Sequence, residues 1–281
     1  MLGGVIASLA RQFSVDGVSL AWDRWGSDGG DVSFVLCHGF SGSSHDFALT
    51  IEDLAVKRPV MAVDHRGHGR SEKLGAVESY SIDRLAADLT AFIEAEGQGP
   101  VDLLGHSMGG AISLRLTLAR PDLVRSLILM DTSAWSFVPP DPAIAALMAG
   151  FIASFDPSRG LPDLAAMGGP EQDLIATATS AEWQAVKEVM ASSFDPYAMK
   201  ALGTELFSGS LEAVRPRLGE ISCPVSVIVG EHDHPFVDQA ADLTAAVGDG
   251  RLSVIAGAYH SPQLTHRAEW MAAVEGHLAR V

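Results

Sequence analysis

The 281-residue sequence is poor in cysteine, in basic residues and in long apolar runs, and each shortage excludes a class of protein. Its two cysteines, Cys37 and Cys223, are too few for a disulfide-stabilised secreted scaffold. Against 35 Asp+Glu stand 19 Lys+Arg, a formal net charge of −16, which disfavours nucleic acid or an anionic membrane surface as a partner. No apolar run approaches the roughly 18 residues that cross a bilayer, so we expect no membrane partner.

The N-terminal region also lacks the basic residues that precede the apolar stretch of a signal peptide. Its first basic residue, Arg11, follows that stretch. We therefore expect a soluble, cytoplasmic protein. Hydrophobic residues make up 47% of the chain, enough for a large buried core, and no feature of the sequence indicates an oligomeric state.

Short aliphatic runs that end in loops of Gly, His, Asp or Ser recur along the chain. Runs of this kind are typical of buried strands in a parallel sheet. We predict strands at 32–37, 59–64, 101–104, 127–130, 225–229 and 252–255, after an antiparallel strand within 15–25. Helical patterns lie between them, at 81–96, 108–119, 238–247 and 263–278. The alternation predicts an α/β fold with a mostly parallel sheet flanked by helices, whose strand-end loops share one edge.

The segment 134–218 interrupts this alternation. It contains helical patches broken by prolines and has no convincing strand. We predict that it forms a helical lid inserted into a core domain made of 1–133 and 219–281. Most of its aromatic residues are expected to form its own core, while Trp135, Phe137 and Trp183 are candidates for the substrate pocket. Between Asp131 and Arg215 there are 11 acidic and 4 basic residues, which disfavours a strongly anionic substrate.

The sharpest motif is GHSMGG at 105–110, placed where a predicted strand ends and a helix begins. A serine with glycines two positions to either side is typical of the G-x-S-x-G nucleophile elbow. The tight turn directs the Ser107 hydroxyl away from the sheet edge, at the N-terminus of a helix where negative charge is favoured. Ser107 is therefore the predicted nucleophile.

A serine nucleophile needs a base that is oriented by an acid. Two later strand-end loops carry candidates, with Asp233 in the first and His260 in the second. The chain order Ser, Asp, His matches the order known for nucleophile elbows of this architecture. Asp131 also ends a predicted strand at the same edge, so we keep it as the alternative acid.

The oxyanion formed during acyl transfer needs hydrogen-bond donors. The segment HGF at 38–40 ends an early strand, and the backbone N–H groups of Phe40 and Met108 are the predicted donors. We expect Gly39 to permit close approach of the backbone and His38 to bridge loops structurally. His38, Gly39 and His106 are also candidate pocket residues.

The sequence contains no convincing metal or cofactor motif, and we predict that neither is used. His232 and His234 flank Asp233, but residues so close in one loop do not converge like ligands spaced i, i+4 on a helix. The glycines of 105–110 lack the G-x-G-x-x-G spacing of a dinucleotide site.

These motifs together resemble the α/β-hydrolase family, in its lidded serine-hydrolase form. The resemblance covers nearly the whole chain, through HGF at 38–40, DHRGHGRS at 64–71, GHSMGG at 105–110, GEHD at 230–233 and the segment around His260. It implies a carboxylesterase or lactonase. The loop 64–71 is expected to shape the floor of the site without a catalytic role.

The predicted function is hydrolysis of a carboxylic ester or lactone of an uncharged, partly apolar small molecule, through an acyl-enzyme on Ser107. Haloalkane dehalogenases and epoxide hydrolases of this fold are disfavoured because they place Asp at the position of Ser107. A carbon–carbon hydrolase of ring-cleavage products is an alternative, although the chain lacks the Gly-Pro-Gly such enzymes carry after the oxyanion His-Gly. A perhydrolase or acyltransferase with the same triad and, last, a non-catalytic ligand receptor also stay open.

Overall fold

A computed structural model describes residues 11–26, 32–135, 137–138, 141–158, 169–207 and 210–281. One eight-stranded sheet organises these residues. Its strands are β1 (Arg11–Val15), β2 (Val18–Trp25), β3 (Phe34–Cys37), β4 (Val60–Val63), β5 (Val101–His106), β6 (Val124–Met130), β7 (Val225–Gly230) and β8 (Gly250–Ile255). Their order across the sheet is β1-β2-β4-β3-β5-β6-β7-β8. All neighbours from β4 to β8 are parallel, so the predicted α/β fold class is confirmed.

The first two strands differ from the expectation of one strand within 15–25. They form an antiparallel hairpin, and β2 pairs antiparallel with β4. The reversal falls at Asp16 and Gly17, whose φ angles are 50° and 79°. Positive φ at both central residues is the geometry of the hairpin turns that favour Asp-Gly. The turn at Asp16 and Gly17 therefore separates the first strand of the hairpin from the second.

Ten α-helices pack against the sheet or lie between its strands. They are α1 (Ile51–Ala55), α2 (Ile82–Glu96), α3 (Met108–Ala119), α4 (Pro142–Ser154), α5 (Pro170–Ala178), α6 (Ala181–Ser192), α7 (Pro196–Leu206), α8 (Phe236–Ala246), α9 (Pro262–Thr265) and α10 (Arg267–Leu278), as counted over the described ranges. None of these helices is long and apolar enough to cross a membrane.

The two faces of the sheet are covered by different helices. Alternate residues of β3 show this division, because Val35 packs in the core that contains α2, α3 and α8, whereas Leu36 packs in the core that contains α1 and α10. Burial on both faces explains why the strands read as continuous apolar runs in the sequence. The strand-end loops are left as the place where polar side chains can meet.

The segment 134–218, called the inserted segment below, contains α4 to α7 between β6 and β7. Two of its helices begin with an Asp that caps the helix and a Pro at the first position. The Asp141 side chain accepts from the N–H of Ala143 at 2.8 Å, and the Asp195 side chain accepts from the N–H of Tyr197 at 2.9 Å. Pro142 and Pro196 therefore mark helix starts. Its role as a lid stays a prediction.

Candidate functional site

The turn between β5 and α3 has the geometry of a strained elbow. Ser107 adopts φ 53° and ψ −117°, a backbone conformation that L-residues rarely occupy and that costs about 1–3 kcal/mol. Hydrogen bonds to β6 and the loop after it hold it there: the N–H of Ser107 donates to the carbonyl of Met130 at 2.9 Å, and the Thr132 hydroxyl donates to the carbonyl of Ser107 at 2.7 Å. The sheet thus fixes the backbone of the predicted nucleophile.

Two glycines make this elbow possible by leaving room for neighbouring backbone. A Cβ on Gly109 would clash with the carbonyl oxygen of Cys37 and lie 2.7 Å from that of His38. A Cβ on Gly105 would lie 2.5 Å from the Ser113 hydroxyl oxygen and clash with the carbonyl oxygen of Gly109. The G-x-S-x-G spacing therefore has a direct steric cause.

The loops after β7 and β8 bring Asp233 and His260 together. The Nδ1 of His260 donates to Oδ2 of Asp233 at 2.9 Å, and the Asp233 side chain is nearly buried. The carbonyl of His260 accepts from Nε2 of His106, the residue before Ser107, at 2.9 Å. The rings of His106 and His260 have centroids 4.8 Å apart. The predicted base therefore lies beside the elbow and is oriented by the predicted acid.

The electrostatics of His260 favour its charged form. Burial opposes a charge on the imidazole, but the charge and hydrogen bond of Asp233, aided by the charge of Glu171, raise the pKa of His260 to about 9. His106 behaves in the opposite way, since burial and then the charge of His260 lower its pKa to about 3. The pKa values of the neighbouring His260 and His106 rings are thus shifted in opposite directions by their surroundings.

Asp131, the alternative acid, lies behind this pair. Its Oδ1 accepts from the N–H of Gly230 at 2.8 Å, whereas its buried Oδ2 has no hydrogen-bond partner among the described residues. Burial, and next the charge of Asp233, raise the pKa of Asp131 well above its usual value. Burial and the neighbouring carboxyl therefore favour the neutral form of Asp131.

Asp131, Asp233 and His260 are also the group best placed to hold a metal ion. One potential ligand atom from each lies within 4.8 Å of the other two. Direct hydrogen bonding already joins Asp233 to His260, and an ion between them would have to replace that bond. Hydrogen bonding therefore accounts for this arrangement, and the absence of a metal requirement stays a prediction.

The loop after β3 carries the predicted oxyanion donors beside the elbow. Met108 is the first residue of α3, so its N–H has no acceptor within the helix. The N–H of Phe40 makes no hydrogen bond within the described part of the chain. The Phe40 ring contacts the inserted segment, with its centroid 6.5 Å from that of Phe155.

His38 is fully buried and links loops. Its Nε2 accepts from the N–H of His65 at 3.0 Å, so Nδ1 carries the proton donated to the carbonyl of Gly39 at 2.9 Å. Burial lowers the pKa of His38 to about 4, which keeps the ring neutral. These contacts describe a structural histidine.

A cavity of about 310 Å³ opens beside His260. The lining combines core loops with helices α5 and α6 of the inserted segment and with α9. Among the residues that line it are Gly39, Phe40, Asp46, His106, Glu171, Trp183, Lys187, His260 and Gln263. Gly39, His106 and Trp183 thus lie where the sequence predicted pocket residues.

The remaining pocket candidates do not line this cavity. His38 is buried among loops, and Phe137 packs edge-on against Phe236, with ring centroids 4.8 Å apart. Trp135 lies against the Arg215 guanidinium, 5.1 Å from the ring centroid. Phe137 thus packs against the core and Trp135 against another residue of the inserted segment.

Glu171 and Gln263 are among the polar lining residues that were missed from the sequence. Glu171 follows Pro170 at the start of α5, and Gln263 follows Pro262 at the start of α9. Each pair is a recognisable helix start, but no spacing in the sequence brings two separate helix starts to one cavity.

Comparison with known proteins agrees with the fold. The sequence matches the alpha/beta hydrolase fold family over residues 32–267, and the chain belongs to that family. This confirms the predicted family.

Relatives and solved structures show which members the chain is similar to. It is 26% identical over 275 residues to the dihydrolipoyllysine-residue acetyltransferase component of the acetoin cleaving system of Cupriavidus necator, covering 97% of this chain and 70% of that protein. It is 33% identical over 118 residues to the sn-1-specific diacylglycerol lipase ABHD11 of Danio rerio, covering 41% of this chain and 36% of the lipase. The solved structure of Est816, an N-acyl homoserine lactone degrading enzyme, has a TM-score of 0.72 and 25% identity, with 95% of this chain and 99% of that chain covered.

Proposed function

We propose that the protein is a serine hydrolase that cleaves a carboxylic ester or lactone of a small molecule through an acyl-enzyme on Ser107. The observation that carries this proposal is the hydrogen bond of 2.9 Å between His260 and Asp233, beside a serine held at φ 53°. Similarity to a diacylglycerol lipase and to a lactone-degrading enzyme supports the bond type.

The residues have distinct roles in the proposed reaction. In the molecules in which His260 is neutral, Ser107 Oγ attacks the ester carbonyl while His260 takes its proton, and the N–H groups of Phe40 and Met108 stabilise the oxyanion. Collapse of the tetrahedral intermediate breaks the bond to the leaving alcohol, which receives the proton from His260. Water, deprotonated by the same imidazole, then attacks the acyl-enzyme and releases the acid.

Asp233 serves as the acid that orients the base. Its bond to Nδ1 leaves Nε2 of His260 for the proton of Ser107. Asp131 retains its proton and stabilises the Asp233 carboxylate from behind. The inserted segment acts as the lid over this edge, because Glu171 of α5 and Trp183 of α6 line the cavity beside His260.

Replacement of the nucleophile tests this function. We expect Ser107→Ala to lower kcat for p-nitrophenyl butanoate by about 10⁴-fold or more while the far-UV circular dichroism stays unchanged. A folded variant with retained turnover would contradict the proposal. Hydrolysis of a ring-cleavage dienoate by the wild type, without hydrolysis of esters or lactones, would favour the carbon–carbon alternative.

Acyl transfer is a second candidate because the relative matched over 97% of this chain is named an acetyltransferase component. In that case an alcohol or thiol attacks the acyl-enzyme in place of water. Added 2-mercaptoethanol should then convert p-nitrophenyl butanoate to the thioester faster than to butanoate. Exclusive release of butanoate identifies the hydrolase.

A further inference from the structure

The predicted oxyanion donor Phe40 lies in a tight turn of the backbone. The N–H of Gly42 donates to the carbonyl of Gly39 at 3.1 Å, which closes the turn around Phe40 and Ser41. Ser41 has a φ of 55°, a conformation that residues other than glycine rarely adopt. Such a conformation persists only where the surrounding structure holds it. The direction of the Phe40 N–H therefore depends on the contacts that hold this turn.

Asp46 is a buried side chain that holds the end of the turn. Its Oδ2 accepts from the N–H of Ser43 at 3.1 Å, and a Cβ on Gly42 would clash with the same oxygen. The N–H of Asp46 in turn donates to the carbonyl of Ser43 at 3.0 Å. The Asp46 carboxylate thus lies directly against the backbone that leads out of the turn carrying Phe40.

The other oxygen of Asp46 is bonded to the inserted segment. Lys187 of α6 is half-buried in the lining of the cavity beside His260, and its ammonium donates to Oδ1 of Asp46. A hydrogen bond between two ionised groups is about twice as strong as one between neutral groups. One buried carboxylate therefore holds the oxyanion turn with one oxygen and helix α6 with the other.

A second contact holds α6 against the same stretch of the core. The Nε2 of His45 donates to the carbonyl of Trp183 at 2.9 Å, and the two rings stack with centroids 4.9 Å apart. Trp183 and Lys187 are four residues apart in α6 and so lie on one face of that helix. This face of α6 is therefore fixed to residues 45–46 by a neutral contact and by a charged one.

The ammonium of Lys187 compensates the buried charge of Asp46. Burial raises the pKa of the Asp46 carboxyl, but the charge and hydrogen bond of Lys187 lead the opposing contributions, and that pKa falls below its usual value. Removing one partner of such a pair leaves a buried charge without compensation. Asp46 would then turn toward water or take up a proton, and its bond to the Ser43 N–H would weaken.

We propose that Lys187 is a positioning residue that acts through Asp46 to hold the turn from which the Phe40 N–H reaches the oxyanion. This inference rests on the proposed ester hydrolysis. It gives the inserted segment a part in stabilising the transition state, because the oxyanion site is complete only when α6 is seated on the core.

Steady-state hydrolysis of p-nitrophenyl butanoate separates this role from direct binding of substrate by Lys187. We expect Lys187→Met to lower kcat by about tenfold or more and to change KM by less than about twofold, because the oxyanion exists only in the transition state. Lys187→Arg should stay within about threefold of the wild type, since a guanidinium also pairs with a carboxylate. A raised KM with unchanged kcat in Lys187→Met would overturn the proposal.

Lys200→Met is the matched control. It makes the same substitution in helix α7 of the inserted segment, at a lysine that does not line the cavity. We expect its kcat and KM to match those of the wild type. A loss of kcat in Lys200→Met as large as that in Lys187→Met would contradict a specific role for Lys187.

A double-mutant cycle tests whether Lys187 acts through Asp46. Asp46→Asn keeps an acceptor for the Ser43 N–H and removes the charge that the ammonium compensates. We expect Lys187→Met to cost about tenfold in kcat in the wild-type background and less than about twofold in the Asp46→Asn background. Equal costs in both backgrounds would contradict the proposal. If circular dichroism shows that Lys187→Met is unfolded, Lys187→Gln, which keeps a donor without the charge, takes its place in the cycle.

A reversible inhibitor reports on the oxyanion turn without turnover. The nucleophilic serine adds to the carbonyl of 1,1,1-trifluorohexan-2-one, so that the Oγ–C bond forms and the hydroxyl proton passes to His260. The ketone oxygen becomes an oxyanion that the Phe40 and Met108 N–H groups would bind. Fluorine NMR measures the dissociation constant of this adduct, which we expect Lys187→Met to raise by about tenfold and Lys200→Met to leave unchanged.

The inhibitor also separates this inference from the proposed function. A wild-type adduct that Lys187→Met does not weaken would refute the positioning role of Lys187 and leave the hydrolase standing. No adduct and no ester hydrolysis in the wild type would refute the hydrolase, and the positioning role with it.

Discussion

The sheet core and the inserted segment contribute to the site in different ways. In the core, close backbone contacts restrict which residues fit. A side chain on Gly105 or Gly109 would clash with neighbouring backbone, and Ser107 is held at positive φ. In the inserted segment, the half-buried Glu171 of α5 and the buried Trp183 of α6 line the cavity. We propose that the core determines the chemistry and that the inserted segment contributes to which molecule fits beside it.

The largest expected effect distinguishes the two core carboxyls, Asp233 and Asp131. We expect Asp233→Asn to lower kcat by about 10³-fold to 10⁴-fold, because an amide cannot stabilise the imidazolium. Asp131→Asn should cost less than about tenfold, since an amide resembles the protonated carboxyl. Steady-state hydrolysis of p-nitrophenyl butanoate measures both. The reverse order would identify Asp131 as the acid that orients His260.

The core should also be the first part of the protein to lose stability as the pH falls. Burial lowers the pKa of His38, His65, His68, His106 and His277, so these rings are neutral in the folded protein. Their contribution to stability is present above the unfolded pKa near 6.5 and is lost as pH falls. Between pH 6.5 and 5.5 we expect the free energy of unfolding to drop by about 1 kcal/mol for each histidine.

Urea unfolding followed by tryptophan fluorescence at the two pH values tests this expectation. His277→Asn should remove about one sixth of the pH dependence, because burial also lowers the pKa of His45 and His277 is therefore one of six such histidines. His260 contributes with the opposite sign: its raised pKa stabilises the fold below pH 6.5, and that gain is lost as pH rises through about 9. A free energy of unfolding that is constant from pH 6.5 to 5.5 would contradict the neutral core.

Much of the core was predictable from local patterns in the sequence. The elbow and the buried strands each depend on residues within a few positions of one another, and Ser107, Asp233 and His260 each follow such a strand in the sequence. The cavity could not be predicted in the same way, because α5, α6 and α9 meet only through tertiary packing. The aromatic residues show the same limit: Trp183 lines the cavity, whereas Trp135 and Phe137 pack elsewhere, and their sequence contexts do not distinguish them.

A smaller effect tests whether the inserted segment influences the core. Glu171 helps to raise the pKa of His260, so Glu171→Leu should lower that pKa and move the acidic limb of the kcat/KM profile to lower pH. Asp173→Leu, which removes an exposed carboxylate from the same helix α5, should leave the limb in place. A limb that does not move in Glu171→Leu would show that the segment does not contribute to the electrostatics of the base.

The smallest expected effect concerns metal ions. Exhaustive dialysis against EDTA should leave the rate of p-nitrophenyl butanoate hydrolysis unchanged, because the proposed reaction uses hydrogen bonds at Asp131, Asp233 and His260. A loss of activity that Zn²⁺ or Mn²⁺ restores would instead identify these three residues as metal ligands.

The central claim is that Ser107, held in the strained elbow between β5 and α3, is the nucleophile. A fluorophosphonate probe followed by intact-protein mass spectrometry and peptide mapping tests it most directly. We predict one adduct per chain, located on Ser107, absent from Ser107→Ala and strongly slowed in His260→Asn. Full ester hydrolysis without labelling of Ser107, or an adduct on another residue, would contradict the account.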